Sequence, residues 1–144
     1  MSREWTLDTC VLYQAADNDM NAIFLMLKIK EDNDKVILDL EKEIIKQYRN
    51  CLDRTRDKKG HDLLRKWFVI LESKLAKYVS STLEDNHRKQ LIELGFHRKD
   101  FPFVGACSKS SCKRIITNDS DYNDDVKEYL NSRMGIKVKP IPAS

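Results

Sequence analysis

What this 144-residue chain has little of narrows its class. Its longest unbroken apolar run, Ala22 to Leu27, is six residues, against the roughly 20 that a membrane-spanning helix needs. The opening residues mix acid and base where an export signal would be apolar, so we expect no membrane partner and a soluble, cytoplasmic chain. Only 4 glycines and 3 prolines are present and no repeat is visible, which argues against low-complexity and solenoid architectures. The 4 cysteines form no Cys-x-x-Cys pair and have no histidine at finger-like spacing. Zinc is thereby disfavoured, and free, mostly buried thiols are expected. Charge of one sign is also scarce: 26 Lys and Arg against 23 Asp and Glu leave a net +3, which neither demands nor excludes a nucleic-acid partner.

What is there is a chain of one-domain length with alternating periods. Trp5-Thr6-Leu7 reads as a strand running into Asp8, Val36-Ile37-Leu38 as a buried strand, Arg114 to Thr117 as a third, and Ile136 to Val138 as an edge strand. Helical spacing is read over Asp19–Lys30, with Met20, Ile23, Phe24 and Leu27 on one face. It recurs from Leu40 to about Asp53, over His61–Val79, over Glu84–Leu94 closed by Gly95, after Asp100, and over Asp124–Ser132. The prediction is therefore α/β: a single domain over 1–144 with a small parallel sheet of about four strands, helices on both faces, and a helical insert over approximately 61–94. That insert is a candidate lid, partner groove or homodimer face.

In such a sheet, ligands sit beyond the carboxyl ends of the strands where the winding reverses. Asp8 ends the first strand and Asp119 follows the third. Asp100 at a helix start and Glu43 in the first turn after strand two could converge on the same edge. Clustered carboxylates repel one another, and the arrangement makes sense as an oxygen cage for a hard divalent cation, Mg²⁺ or Mn²⁺. The competing reading is structural: Asp8 as a turn or cap residue, Asn118 to Asp121 as a capping run for the helix that begins at Asp124, Glu43 as a first-turn acid that suits the helix dipole.

Three segments, Leu7-Asp8-Thr9-Cys10, Lys99-Asp100-Phe101-Pro102-Phe103-Val104-Gly105-Ala106 and Ile115-Ile116-Thr117-Asn118-Asp119-Ser120-Asp121-Tyr122, resemble in order and spacing the acidic motifs of PIN domains. That family consists mostly of metal-dependent ribonucleases, many of them toxins with a cognate antitoxin. The resemblance implies a metal-dependent endoribonuclease acting on single-stranded RNA, with Asp8, Asp100 and Asp119 as catalytic metal ligands and Asp121 as an added or alternative ligand. It also implies a positioning role for the Thr117 hydroxyl, with Thr9 and Asn118 in support. Arg98 and Lys99, beside Asp100, are candidate RNA contacts. The family's second acid aligns with Gln47, and Glu43, one turn earlier on the same face, is the candidate substitute. The alternative is a degenerate module that binds RNA or a protein partner without cutting. Phosphatase and receiver-like readings fit the motifs less well, since no second acid follows Asp8 by two residues and no lysine sits suitably after a late strand.

Overall fold

The computed structural model describes residues 2–143, so the two terminal residues of the predicted 1–144 domain, Met1 and Ser144, lie outside it. Its five strands are β1 (Glu4–Leu7), β2 (Lys35–Asp39), β3 (Ala76–Val79), β4 (Arg114–Ile116) and β5 (Lys137–Lys139). They form one sheet, all pairs parallel, in the order β3-β2-β1-β4-β5. Seven α-helices connect them: α1 (Thr9–Ala16), α2 (Met20–Glu31), α3 (Glu43–Arg54), α4 (His61–Ile70), α5 (Asp85–Glu93), α6 (Phe101–Cys107) and α7 (Asp124–Met134). The α/β class expected from the alternating periods is the class observed. No helix among the described residues is long and apolar enough to cross a membrane.

The sheet has five strands rather than four, and the additional one corrects the reading of residues 61–94. Helical spacing from Leu64 through Tyr78 predicts one long helix, but α4 ends at Ile70 and loosens into a π-helical turn over Leu71–Leu75. The chain then extends as β3. β3 pairs with β2 from Val36↔Ala76 to Asp39↔Val79, so this segment completes the sheet and is not a purely helical insert. The cause is tertiary. Four residues of a half-exposed edge strand are too few to show alternation, and Tyr78, given to the apolar stripe, is 45% exposed. Met20 and Phe24 are likewise exposed, so α2 faces the core through Ala22, Ile23, Leu25, Met26 and Ile29 instead. A further helix, α1, follows directly from Asp8.

Two apolar clusters pack against the sheet. Trp5, Leu7 and Ile116 join the one built with α1 to α4, and Ile115 joins the one built with α5 and α7. Neighbouring residues of β4 thus face opposite layers, as strand alternation requires. Helix α6 belongs to both, through Phe103 and Ala106 on one side and Val104 and Cys107 on the other. The free thiols of Cys51 and Cys107 are buried, those of Cys10 and Cys112 half-buried.

Two devices shape the carboxyl edge of the sheet. Asp39, fully buried at the end of β2, accepts hydrogen bonds from the backbone N–H groups of Glu43 and Ile44 and so caps α3 from across a turn in which Lys42 takes a left-handed φ of 67°. The same carboxylate accepts the Ser81 hydroxyl, and Glu41 accepts the Ser81 N–H and hydroxyl, which pins the loop between β3 and α5. Gly105 of α6 lies directly under that loop: a Cβ there would stand 2.0 Å from the Ser81 carbonyl oxygen. Gly105→Ala is therefore expected to destabilise the protein by about 2 kcal/mol through forced displacement of backbone, measurable by urea denaturation.

Candidate functional site

The chain winds outward from β1 to β2 and β3, then returns to the other side of β1 with β4 and β5. The winding reverses between β1 and β4, and at the carboxyl ends of those two strands stand Asp8 and the Thr117–Asp121 segment. Asp8 is 2% exposed. Its backbone N–H continues the β1–β4 pairing by donating to the Ile116 carbonyl, and its side chain accepts the Thr117 hydroxyl at 2.8 Å. Thr117 accepts in turn from the Asp119 N–H at 3.0 Å, and Asp119 from the Asp121 N–H at 2.9 Å. These bonds hold three acids of two elements in one chain of contacts.

Asp100 arrives from the opposite direction. His97 accepts the backbone N–H of Lys99 on its ring, a single 3₁₀ turn spans Arg98–Asp100, and α6 starts at the next residue with Pro102 in its first turn. Asp100 is 2% exposed, and its Oδ2 is buried without a hydrogen-bond partner. One carboxylate oxygen from each of Asp100, Asp119 and Asp121 lies within 4.8 Å of the others. Asp8 stands beside this trio, close enough for its charge to act on Asp100.

Asp8 and Asp100 occupy the N-cap positions of α1 and α6, yet neither side chain makes a capping hydrogen bond. Capping of α7 was expected from the Asn118–Asp121 run, but Asn123 does it, accepting the Val126 N–H at 2.9 Å. The acids are thus not consumed by the helix ends, although the positive ends of α1 and α6 favour negative charge there.

Electrostatics carries the cost. Burial, and then the neighbouring Asp8 charge, push the Asp100 carboxyl up to about 7 despite the opposing Lys99 cation. Burial likewise raises the Asp8 carboxyl, opposed by the hydrogen bond from Thr117. Burial lifts the Cys10 thiol to about 12, so it remains protonated and accepts the Asn118 N–H rather than serving as a ligand. An all-oxygen group with a buried, unpartnered carboxylate oxygen matches the needs of Mg²⁺ or Mn²⁺ better than those of a softer ion.

Asp8, Asp100 and Asp119 line a cleft of about 1160 Å³. Glu43 lines this cleft but is exposed and is not among the clustered carboxylates. Gln47, at the position of the expected acid, accepts the Thr9 hydroxyl and donates to the Lys99 carbonyl. Asn118 braces the final motif, donating through Nδ2 to Gln14 and accepting the Ile141 N–H. Arg98 and Lys99 border the cleft together with Arg88 and Lys89 of α5, and among the described residues none of the four forms an ion pair. Asp39, Glu41 and Ser81, whose contacts pin the loop on the far wall, are not apparent as a group in the sequence, where Glu41 reads as a first-turn acid of the helix after strand two. A Ser-Ser-Thr run carries no signal of that role.

No family model, curated protein or solved structure matches this chain. The chemistry of the site must therefore be read from its own residues.

Because the carboxyls of Asp8 and Asp100 are raised in the folded state, the native protein holds more protons than the unfolded chain from the ordinary carboxylate range up to about 7. Their contribution to stability is full below that range and lost as pH rises above it, for Asp100 through about 7. Asp100→Asn is accordingly expected to raise the melting temperature by about 3 °C in chelator at pH near 8, and to leave it nearly unchanged at pH near 4. Thermal melts across this range check both the sign and the window.

Proposed function

We propose that this chain is a metal-dependent endoribonuclease of the toxin or RNA-processing kind, hydrolysing phosphodiester bonds in single-stranded RNA in the cytoplasm. The observation that carries the reading is the group formed by Asp100, Asp119 and Asp121, with oxygens within 4.8 Å of one another and the buried Asp100 Oδ2 left without a partner. Three buried or half-buried acids with no cation between them are unfavourable unless a positive ion joins them. The PIN-domain motifs noted in the sequence support the same reading, since the acids they share, Asp8, Asp100 and Asp119, all line the cleft.

In this reading Asp100, Asp119 and Asp121 offer oxygens to Mg²⁺ or Mn²⁺, and Asp8 adds negative charge at the floor. Such an ion supplies an activated water and stabilises charge on a phosphoryl oxygen. Thr117 keeps the Asp8 carboxylate in one orientation through its hydroxyl. Asp100 gives up its proton as the cation is taken, so affinity for the metal rises with pH through about 7. Arg98 and Lys99 meet the RNA backbone beside the carboxylates, and Arg88 and Lys89 meet it further along the cleft. The cleft exceeds the roughly 300–1,000 Å³ of small-ligand pockets, which suits a polymer better than a mononucleotide.

A second reading, a module that binds RNA or an antitoxin-like protein partner without cutting, is favoured by Gln47 in place of an acid. Cleavage decides between them. Purified protein with Mn²⁺ is expected to cut a mixed-sequence single-stranded RNA, with cutting lost in EDTA and reduced at least 10³-fold, about 4 kcal/mol of barrier, by Asp8→Asn in a protein whose circular dichroism is unchanged. Folded wild-type protein that binds this RNA but leaves it intact would establish the second reading.

A further inference from the structure

Gln47 interrupts the expected acidic set, and its contacts assign it a different task. It lies on α3, half-buried, and points into the gap between two chain segments that are distant in sequence. Its Nε2 donates to the Lys99 carbonyl at 2.7 Å, and its Oε1 accepts the Thr9 hydroxyl at 3.2 Å. A carbonyl can only accept, so the amide nitrogen must face Lys99 and the oxygen must face Thr9. Thr9 is the residue after Asp8, and Lys99 is the residue before Asp100. The next residue of α3, Tyr48, donates its buried hydroxyl to the carbonyl of Leu7, the residue before Asp8. One helix thus grips Asp8 on both sides and reaches across to Asp100.

We infer that Gln47 is a positioning residue that sets the spacing of Asp8 and Asp100 by bridging their chain neighbours. The turn that carries Asp100 needs such a tie. His97, Arg98 and Lys99 are exposed, and the other hydrogen bonds of this turn are local, from the Lys99 N–H to the His97 ring, from the Asp100 N–H to the His97 carbonyl and from the Phe101 N–H to the Arg98 carbonyl. Among the described residues, the bond from Gln47 is the one hydrogen bond that reaches residues 97–99 from a segment distant in sequence. A glutamate at this position would set carboxylate lone pairs against the Lys99 carbonyl and add a further negative charge near Asp8 and Asp100. An amide, able to donate on one side and accept on the other, fits where an acid does not.

The geometry stands by itself, while its consequence for metal binding rests on the reading proposed above. The test therefore uses two readouts on the full-length protein: hydrogen exchange of residues 97–101 without metal, and Mn²⁺ affinity by calorimetry. Gln47→Met preserves length and packing but neither hydrogen bond. It is expected to speed exchange in 97–101 selectively, with little change in melting temperature, and to weaken Mn²⁺ binding about tenfold, the low end for groups that orient a metal ligand. Gln47→Glu is expected to weaken Mn²⁺ binding as well. Unchanged exchange in Gln47→Met, raised exchange with unchanged Mn²⁺ affinity, or tighter Mn²⁺ binding by Gln47→Glu would each overturn the inference. Wild-type protein that binds no Mn²⁺ would instead overturn the metal reading, and the exchange contrast would still decide whether Gln47 is the tie.

Discussion

Asp8 is a carboxylate buried at the end of the central strand, and the hydroxyl of Thr117 crosses from β4 to hold it at 2.8 Å. Much of the candidate site depends on that contact. It joins the two strands between which the winding reverses, and the Thr117 oxygen also receives the Asp119 N–H, so the first acid and the last motif are oriented by one atom. Burial raises the cost of an ionised acid, and the hydrogen bonds from Thr117, Cys10 and Thr9 offset only part of it. A fold that keeps Asp8 and Asp100 together in this way retains stress at one edge of its sheet.

Around Asp8 the framework is densely packed and hydrogen-bonded. Three aliphatic residues of β2 are fully buried, α3 is capped by the buried Asp39, and Tyr48 ties the helix to the central strand. The loop after β3 is clasped by Asp39 and Glu41 and seated against Gly105. The two walls of the cleft are therefore built differently. One is locked by short-range carboxylate contacts, and the other, at residues 97–99, is exposed and tethered by Gln47.

The class of the fold was legible because periods of two and near four alternate along the chain, and so was the edge at which the acids meet, because strand ends and helix starts carry them. β3 was not legible. A run that keeps helical spacing was converted to strand by an unpaired edge of β2, an event that involves residues some forty positions away, Val36 pairing with Ala76. Glu43 looked equivalent to position 47 because the two share a helix face, but it is exposed at the first turn and is not among the clustered oxygens. The cap of α7 fell to Asn123 rather than to an acid of the preceding run, a choice among neighbouring capping residues that spacing alone does not make.

By itself the amino-acid sequence determined the α/β class, the place of Asp8 and Asp100 at element boundaries and of Asp119 in the loop after β4, and the free state of the thiols, all properties of local pattern and composition. The fifth strand, the orphaned oxygen of Asp100, its carboxyl raised to about 7, and the amide bridge from Gln47 were decided only in the tertiary structure. Each of these depends on groups brought together from distant parts of the chain, and burial and pairing exist only once that chain is packed.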